Sequence, residues 1–201
     1  MKNDTKILLL VLGLSAAAII FILLSSTKTQ VAEAEMVNAG GNVLGESTSQ
    51  NILVEFSDFF CPACQAAEPY VAQIISKYPG RIKFIYRHFP LPQHPLAFKA
   101  AQAAEAAGRQ GKFWEYKENL FASQESLVDP TFVEIAQKLN LDLNKFTEDM
   151  NSAEVLSAVQ KDMAASRELN LNSTPTFFLN GEKLNFTSFE DLVKTVESKL
   201  K

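Results

Sequence analysis

Cys61 and Cys64 are the only cysteines in the 201-residue chain, two residues apart in the run Cys61-Pro62-Ala63-Cys64. A structural disulfide stabilises a fold by closing a long loop, and a pair this close closes almost nothing. What such a pair offers is thiol–disulfide exchange. One thiolate attacks a disulfide sulfur, and the second thiol resolves the mixed disulfide. The surroundings suit that chemistry. Cys61 follows a run with strand character and precedes one with helical spacing, with Pro62 at the first helical position, where a missing N–H costs nothing. A helix start presents unpaired N–H groups and a partial positive charge, which favour thiolate over thiol. Cys61 is therefore the expected nucleophile and Cys64, one turn on, the expected resolving thiol. Metal binding by the same thiolates is the alternative of another class, a copper or zinc module. Zinc needs four ligands, and His88 and His94 are the remaining candidates. The stretch from Cys64 to His88 is long enough for a whole helix and strand, beyond finger-like spacing. The expectation is no metal and no cofactor beyond a redox-active Cys61–Cys64 disulfide.

The elements that must position the pair follow from periodicity. Asn51 to Phe56 reads as a buried strand, with Ile52, Leu53, Val54 and Phe56. Pro62 to Tyr78 has helical spacing, with Ala66, Tyr70, Ile74 and Ile75 on the expected inner face, and Pro79-Gly80 ends it. Arg81 to Phe89 returns to strand character, which completes a β-α-β unit with parallel strands. From about residue 95 to 169 the chain reads as helical, with Asp129-Pro130 as a start signal. Thr176 to Leu179, the turn Asn180-Gly181 and Lys183 to Phe186 read as a hairpin. Thr187-Ser188-Phe189-Glu190 has the form of a capping box opening a last helix.

Ahead of this domain, Ile7 to Leu24 runs for eighteen residues without a charge, after a short segment carrying Lys2 and Lys6. That length meets the lower end of what a helix needs to cross a bilayer. The expectation is a cytoplasmic segment 1–6, a signal-anchor 7–24 and a flexible tether 25–42, leaving the domain at 43–201. Cleavage near Ala32-Glu33-Ala34 is the competing reading. Both readings put the domain outside the cytoplasm, where disulfides persist. The net charge of −4, with both signs interspersed, points away from nucleic acid.

The run from Val54 through Phe59-Phe60-Cys61-Pro62-Ala63-Cys64 resembles the active-site strand and helix start of the DsbA-like branch of the thioredoxin superfamily. The likeness continues through Tyr86-Arg87-His88-Phe89-Pro90-Leu91 and Gly111-Lys112-Phe113-Trp114-Glu115, and through Ser173-Thr174-Pro175-Thr176-Phe177 to Asn180-Gly181. It covers about residue 43 to the C-terminus, most closely in the manner of single-domain, membrane-tethered bacterial members. The resemblance implies an α/β thioredoxin fold with a helical insertion, at about 95–169, between the β-α-β unit and a C-terminal β-β-α unit. It makes Glu55 the buried acid that exchanges a proton with Cys64. It makes Pro175 the cis-proline facing the cysteines, and Thr174 the backbone that pairs with an extended substrate. Pro69 corresponds to a kink in the active-site helix. Asp58 has a plainer reading, a solvated acid near the nucleophile. The expected function is an extracytoplasmic oxidase acting on reduced or unfolded secreted proteins. The expected chain is a monomer, reset by a membrane or extracytoplasmic redox partner. Ala63 is small and neutral, so reductase and isomerase remain the alternatives in direction.

Overall fold

A computed structural model describes residues 38–46 and 48–200. The expected segments 1–6 and 7–24, and the tether as far as residue 37, lie outside these residues. Among the described residues no helix is long and apolar enough to cross a membrane.

The chain forms a five-stranded sheet. Its strands are β1 (Asn42–Leu44), β2 (Asn51–Ser57), β3 (Ile82–His88), β4 (Thr176–Leu179) and β5 (Glu182–Lys183), in the order β1-β3-β2-β4-β5. The expected β-α-β unit is present. β2 and β3 pair in parallel from Asn51–Ile82 to Ser57–His88, and α1 (Pro62–Lys77) connects them. The helical insertion runs through α2 (Ala97–Gly108), α3 (Phe113–Ala122), α4 (Asp129–Lys138), α5 (Leu143–Met150) and α6 (Ala153–Glu168). Strand β4 then returns antiparallel to β2, and α7 (Phe189–Lys199) packs with α1.

Alternation along the strands assigns residues to two faces. Leu53, Phe84, Tyr86, Phe177 and Leu179 join the main core with Ala67, Val71 and Ile74 of α1 and Leu192, Val193 and Val196 of α7. Val54, Phe56, Ile85 and Phe178 face the other way, against Ala165 of α6. Glu55 has the parity of Leu53, so it points toward the face that carries α1.

Local expectations shift in four places. The inner face of α1 is Cys64, Ala67, Val71 and Ile74, whereas Ala66 is exposed and Tyr70 and Ile75 are half-buried. Val128 takes the cap position of α4, with Asp129 and Pro130 inside the first turn. The last helix is capped by Ser188, whose hydroxyl accepts from the Asp191 N–H, one residue later than the Thr187–Glu190 spacing suggests. Strand β5 is two residues long, ending at Lys183. The turn before it is as expected, with Asn180 and Gly181 at φ 53° and 83°. The sheet also gains β1, antiparallel to β3. Gly41 admits it: φ is +72°, and a Cβ there would lie 2.5 Å from the Tyr86 carbonyl oxygen.

Candidate active site

Strand β2 ends at Ser57, and the turn that follows delivers Cys61 to the cap of α1, with Pro62 in the first turn. No side chain caps this helix, so its first N–H groups are left to the Cys61 sulfur. Both cysteines are free thiols. Cys61 is 8% exposed and Cys64 not at all. The two therefore differ in what an attacking sulfur can reach.

Their acidities diverge for the same geometric reason. The Cys61 thiol is drawn from 9.0 to about 5, chiefly by a hydrogen bond from the Cys64 thiol. Burial works against this, while Thr174 and the backbone at Ala63 and Cys64 add to it. Cys64 is pushed far above the usual thiol range, first by burial, then by its bond to Cys61 and by the charge of Glu55. The Asp58 N–H lies 3.5 Å from the Cys64 sulfur.

Opposite the pair, the Thr174–Pro175 peptide bond is cis. It precedes β4 and brings the Thr174 carbonyl oxygen within 3.4 Å of the Cys61 sulfur, which donates to it as a thiol. Once Cys61 ionises this bond is lost. The Thr174 hydroxyl, buried and without another partner among the described residues, is then at hand for the thiolate.

Glu55 is completely buried beneath α1, and neither carboxylate oxygen has a hydrogen-bond partner among the described residues. Its acid is raised from 4.5 to about 8, first by burial and then by Glu68, with Lys117 opposing. Among the described residues, Ser57 Oγ, Tyr86 OH and Glu68 Oε1, buried nearby or on neighbouring elements, also have no hydrogen-bond partner. Lys117 of α3 pairs with Glu68 of α1, and its ammonium sits 5.2 Å from the ring centres of both Tyr86 and Phe121. A recess of about 240 Å³ opens to this pair, lined also by Val71, Phe84 and Trp114. The structure thus brings Cys61, Cys64, Pro62, Ala63, Thr174 and Pro175 together at one end of the sheet, with Glu55 below them.

Glu68 and Lys117 were not legible as site residues. Each reads as one polar position on an amphipathic helix, and only the folding of the insertion against α1 buries them. Asp58 corrects an expectation outright: it is 2% exposed, not solvated. Its carboxylate accepts from the N–H of Phe60 at 2.7 Å, two residues on. That is an Asx turn, a signal available in Asp58-Phe59-Phe60. The two histidines considered as metal ligands are engaged elsewhere. His88 Nε2 pairs with Glu105 at 2.9 Å and His94 Nδ1 with Asp58 at 2.8 Å. Among the described residues no three of His, Cys, Asp and Glu are gathered as a metal site.

Residues 37–198 match the family described as Thioredoxin. The structure is similar to the thiol–disulfide exchange protein alpha-DsbA2 from Wolbachia pipientis, at a TM-score of 0.74 and 21% identity, covering 87% of this chain and 96% of that one. It is also similar to a thioredoxin-like oxidoreductase from Silicibacter pomeroyi, at 0.70 and 26% identity, over 83% and 95% of the two chains. A curated relative, the Na(+)/H(+) antiporter NhaA 3 of Salinispora tropica, is 37% identical over 143 residues, 71% of this chain. The matched part spans only 22% of that antiporter's length, so the antiporter name describes a much longer protein. The chain belongs to the thioredoxin family and has the fold of the DsbA-like thiol–disulfide oxidoreductases.

Proposed function

We propose that this protein is an extracytoplasmic dithiol oxidase that introduces disulfides into translocated proteins, with Cys61 as nucleophile and leaving group and Cys64 as resolving thiol. The observation that carries the reading is the divergence of the two thiols, one drawn down to about 5 and the other pushed far up. In the oxidised state a substrate thiolate attacks the Cys61 sulfur, and the S–S bond to Cys64 breaks. Cys64 leaves as a thiolate in a buried site that disfavours it. Glu55, whose acid is held near 8 and so carries a proton at neutral pH, supplies that proton. A second substrate thiolate then attacks the substrate's sulfur and expels Cys61, which departs readily because its thiolate is stable. The substrate has lost two electrons and the chain holds a dithiol. Return to the disulfide requires a disulfide- or quinone-class partner that accepts two electrons. In that direction Glu55 takes the Cys64 proton back.

Magnitude supports oxidation over reduction. Relative to an ordinary thiol, a Cys61 value of about 5 stabilises the dithiol at pH 7 by about 3 kcal/mol, or about 60 mV for a two-electron couple. Such acidity lies between the roughly 7 of thioredoxin and the roughly 3.5 of DsbA. Neutral Ala63 fits the intermediate value, since it places no cation between the cysteines. Expectations from the N-terminal residues support the compartment, because an apolar stretch at 7–24 would carry the domain to the side where disulfides endure. Thr174 and Pro175 would receive an extended substrate segment by backbone pairing.

Cys61→Ser should abolish oxidation of a reduced, unfolded test protein, and Cys64→Ser should accumulate mixed disulfides through Cys61. Both are read on non-reducing gels with mass spectrometry. A fully active Cys64→Ser variant would reject the assigned roles.

A further inference from the structure

Asp58 ties the turn after β2 to the loop that leaves β3, just beyond the point where the two strands pair at Ser57 and His88. Its side chain is completely buried, and three donors meet its carboxylate. Oδ1 accepts from the N–H of Phe60 at 2.7 Å, which folds the turn immediately before the nucleophile. Oδ2 accepts from the N–H of Leu91 at 2.8 Å and from His94 Nδ1 at 2.8 Å, both in the loop that leaves β3. The main chain of the same residue reaches both cysteines. Its carbonyl accepts from the Cys61 N–H at 3.0 Å, and its N–H points at the Cys64 sulfur at 3.5 Å.

We propose that His94 is a positioning residue of the redox centre: by gripping the buried Asp58 carboxylate, it holds the 58–61 turn in the conformation that seats Cys61 on the start of α1. The inference rests on the exchange chemistry proposed above. A buried carboxylate needs its donors, and hydrogen bonds to a charged group are stronger than those between neutral groups. His94 supplies one of the three through a side chain that is itself 22% exposed, so it adds little to the core. Its ring lies near that of Phe60, the residue before Cys61, with centroids 6.4 Å apart. Among the described residues Asp58 is the ionisable group in contact with it. Helix-start stabilisation fades within one turn, so a sulfur displaced from those N–H groups, and from its contacts with Cys64 and Thr174, loses part of its acidity. Releasing the loop would loosen the Asp58–Phe60 turn, and Cys61 would drift from the N–H groups that favour its thiolate.

The test measures the dithiol–disulfide equilibrium with glutathione and the ultraviolet absorbance of the Cys61 thiolate against pH, for the native chain, His94→Ala and His94→Asn. In asparagine the amide nitrogen hangs from the same Cγ as Nδ1, so it can still donate to Asp58. For His94→Ala the equilibrium constant should move about tenfold toward a weaker oxidant, with the Cys61 titration rising by about one pH unit. His94→Asn should recover most of the native value in both readouts. Native values in His94→Ala would overturn the proposal, even if thermal unfolding showed lost stability. So would an asparagine variant as impaired as the alanine one. If the native chain itself fails to equilibrate with glutathione, the exchange reading is what fails, and the two failures are distinguishable.

Discussion

Two buried clusters of charge lie on this sheet, and they are built in opposite ways. On one, Arg87 Nε pairs with Asp162 Oδ1 at 2.6 Å, and Asp162 Oδ2 accepts from the His88 N–H at 2.9 Å. Next to it, Glu105 Oε1 takes His88 Nε2 at 2.9 Å and Asn42 Nδ2 at 2.5 Å. These carboxylates are provided with donors. Beneath the cysteines the reverse holds: both oxygens of Glu55, Ser57 Oγ, Tyr86 OH and Glu68 Oε1 are buried with no partner among the described residues. A buried group left unsatisfied costs about 1–3 kcal/mol. A fold that satisfies one cluster and leaves the other short keeps the second for another use, and a carboxyl that must change protonation state is such a use. The satisfied cluster tethers β1, β3, α2 and α6, while the unsatisfied one lies beneath Cys64, where the proposed mechanism needs a carboxyl that exchanges a proton.

The comparison breaks first at Asp162. Asp162→Ala removes the carboxylate that accepts from Arg87 Nε and from the His88 N–H, which should cost about 1–3 kcal/mol in urea unfolding. The glutathione equilibrium of the surviving folded protein should stay within about twofold of the native value. A large shift in that equilibrium would mean that the two clusters are not separate.

Glu55→Gln should act in the opposite sense. The folded-state acid is raised from 4.5 to about 8, so the folded chain keeps a proton that the unfolded chain loses. Stability is therefore lost as pH climbs from 4.5 toward 8. Gln at this position removes that slope, for a gain of about 3 kcal/mol at pH 7 that vanishes near pH 4.5. Resolution of a mixed disulfide through Cys64 should slow by about tenfold or more, seen in stopped-flow quenching. A variant with an unchanged pH–stability curve would place Glu55 outside the proton traffic.

Much of the frame was legible before the structure. The β-α-β unit, the insertion and the Asn180-Gly181 hairpin each carry a period or turn chemistry of their own, and the cysteine spacing at a strand-to-helix junction marked the candidate site. Strand β1 was not, because three residues after Gly40-Gly41 have too little pattern to stand out from a tether. Glu55 emerged from resemblance rather than from its type, since one acid in an apolar strand does not reveal which face it takes. Lys117, between Tyr116 and Glu118, looks like any surface lysine until α3 packs over α1. The Asp58–His94 contact joins residues 36 apart in the chain, and no local rule predicts such a pairing.

The most direct test of the central claim is the reduction potential of the Cys61–Cys64 couple at pH 7, measured against glutathione. A Cys61 thiol near 5 predicts a value between the roughly −270 mV of thioredoxin and the roughly −120 mV of DsbA, clear of the thioredoxin end. A value at or below about −270 mV would contradict the oxidase account and leave a reductase on the same fold.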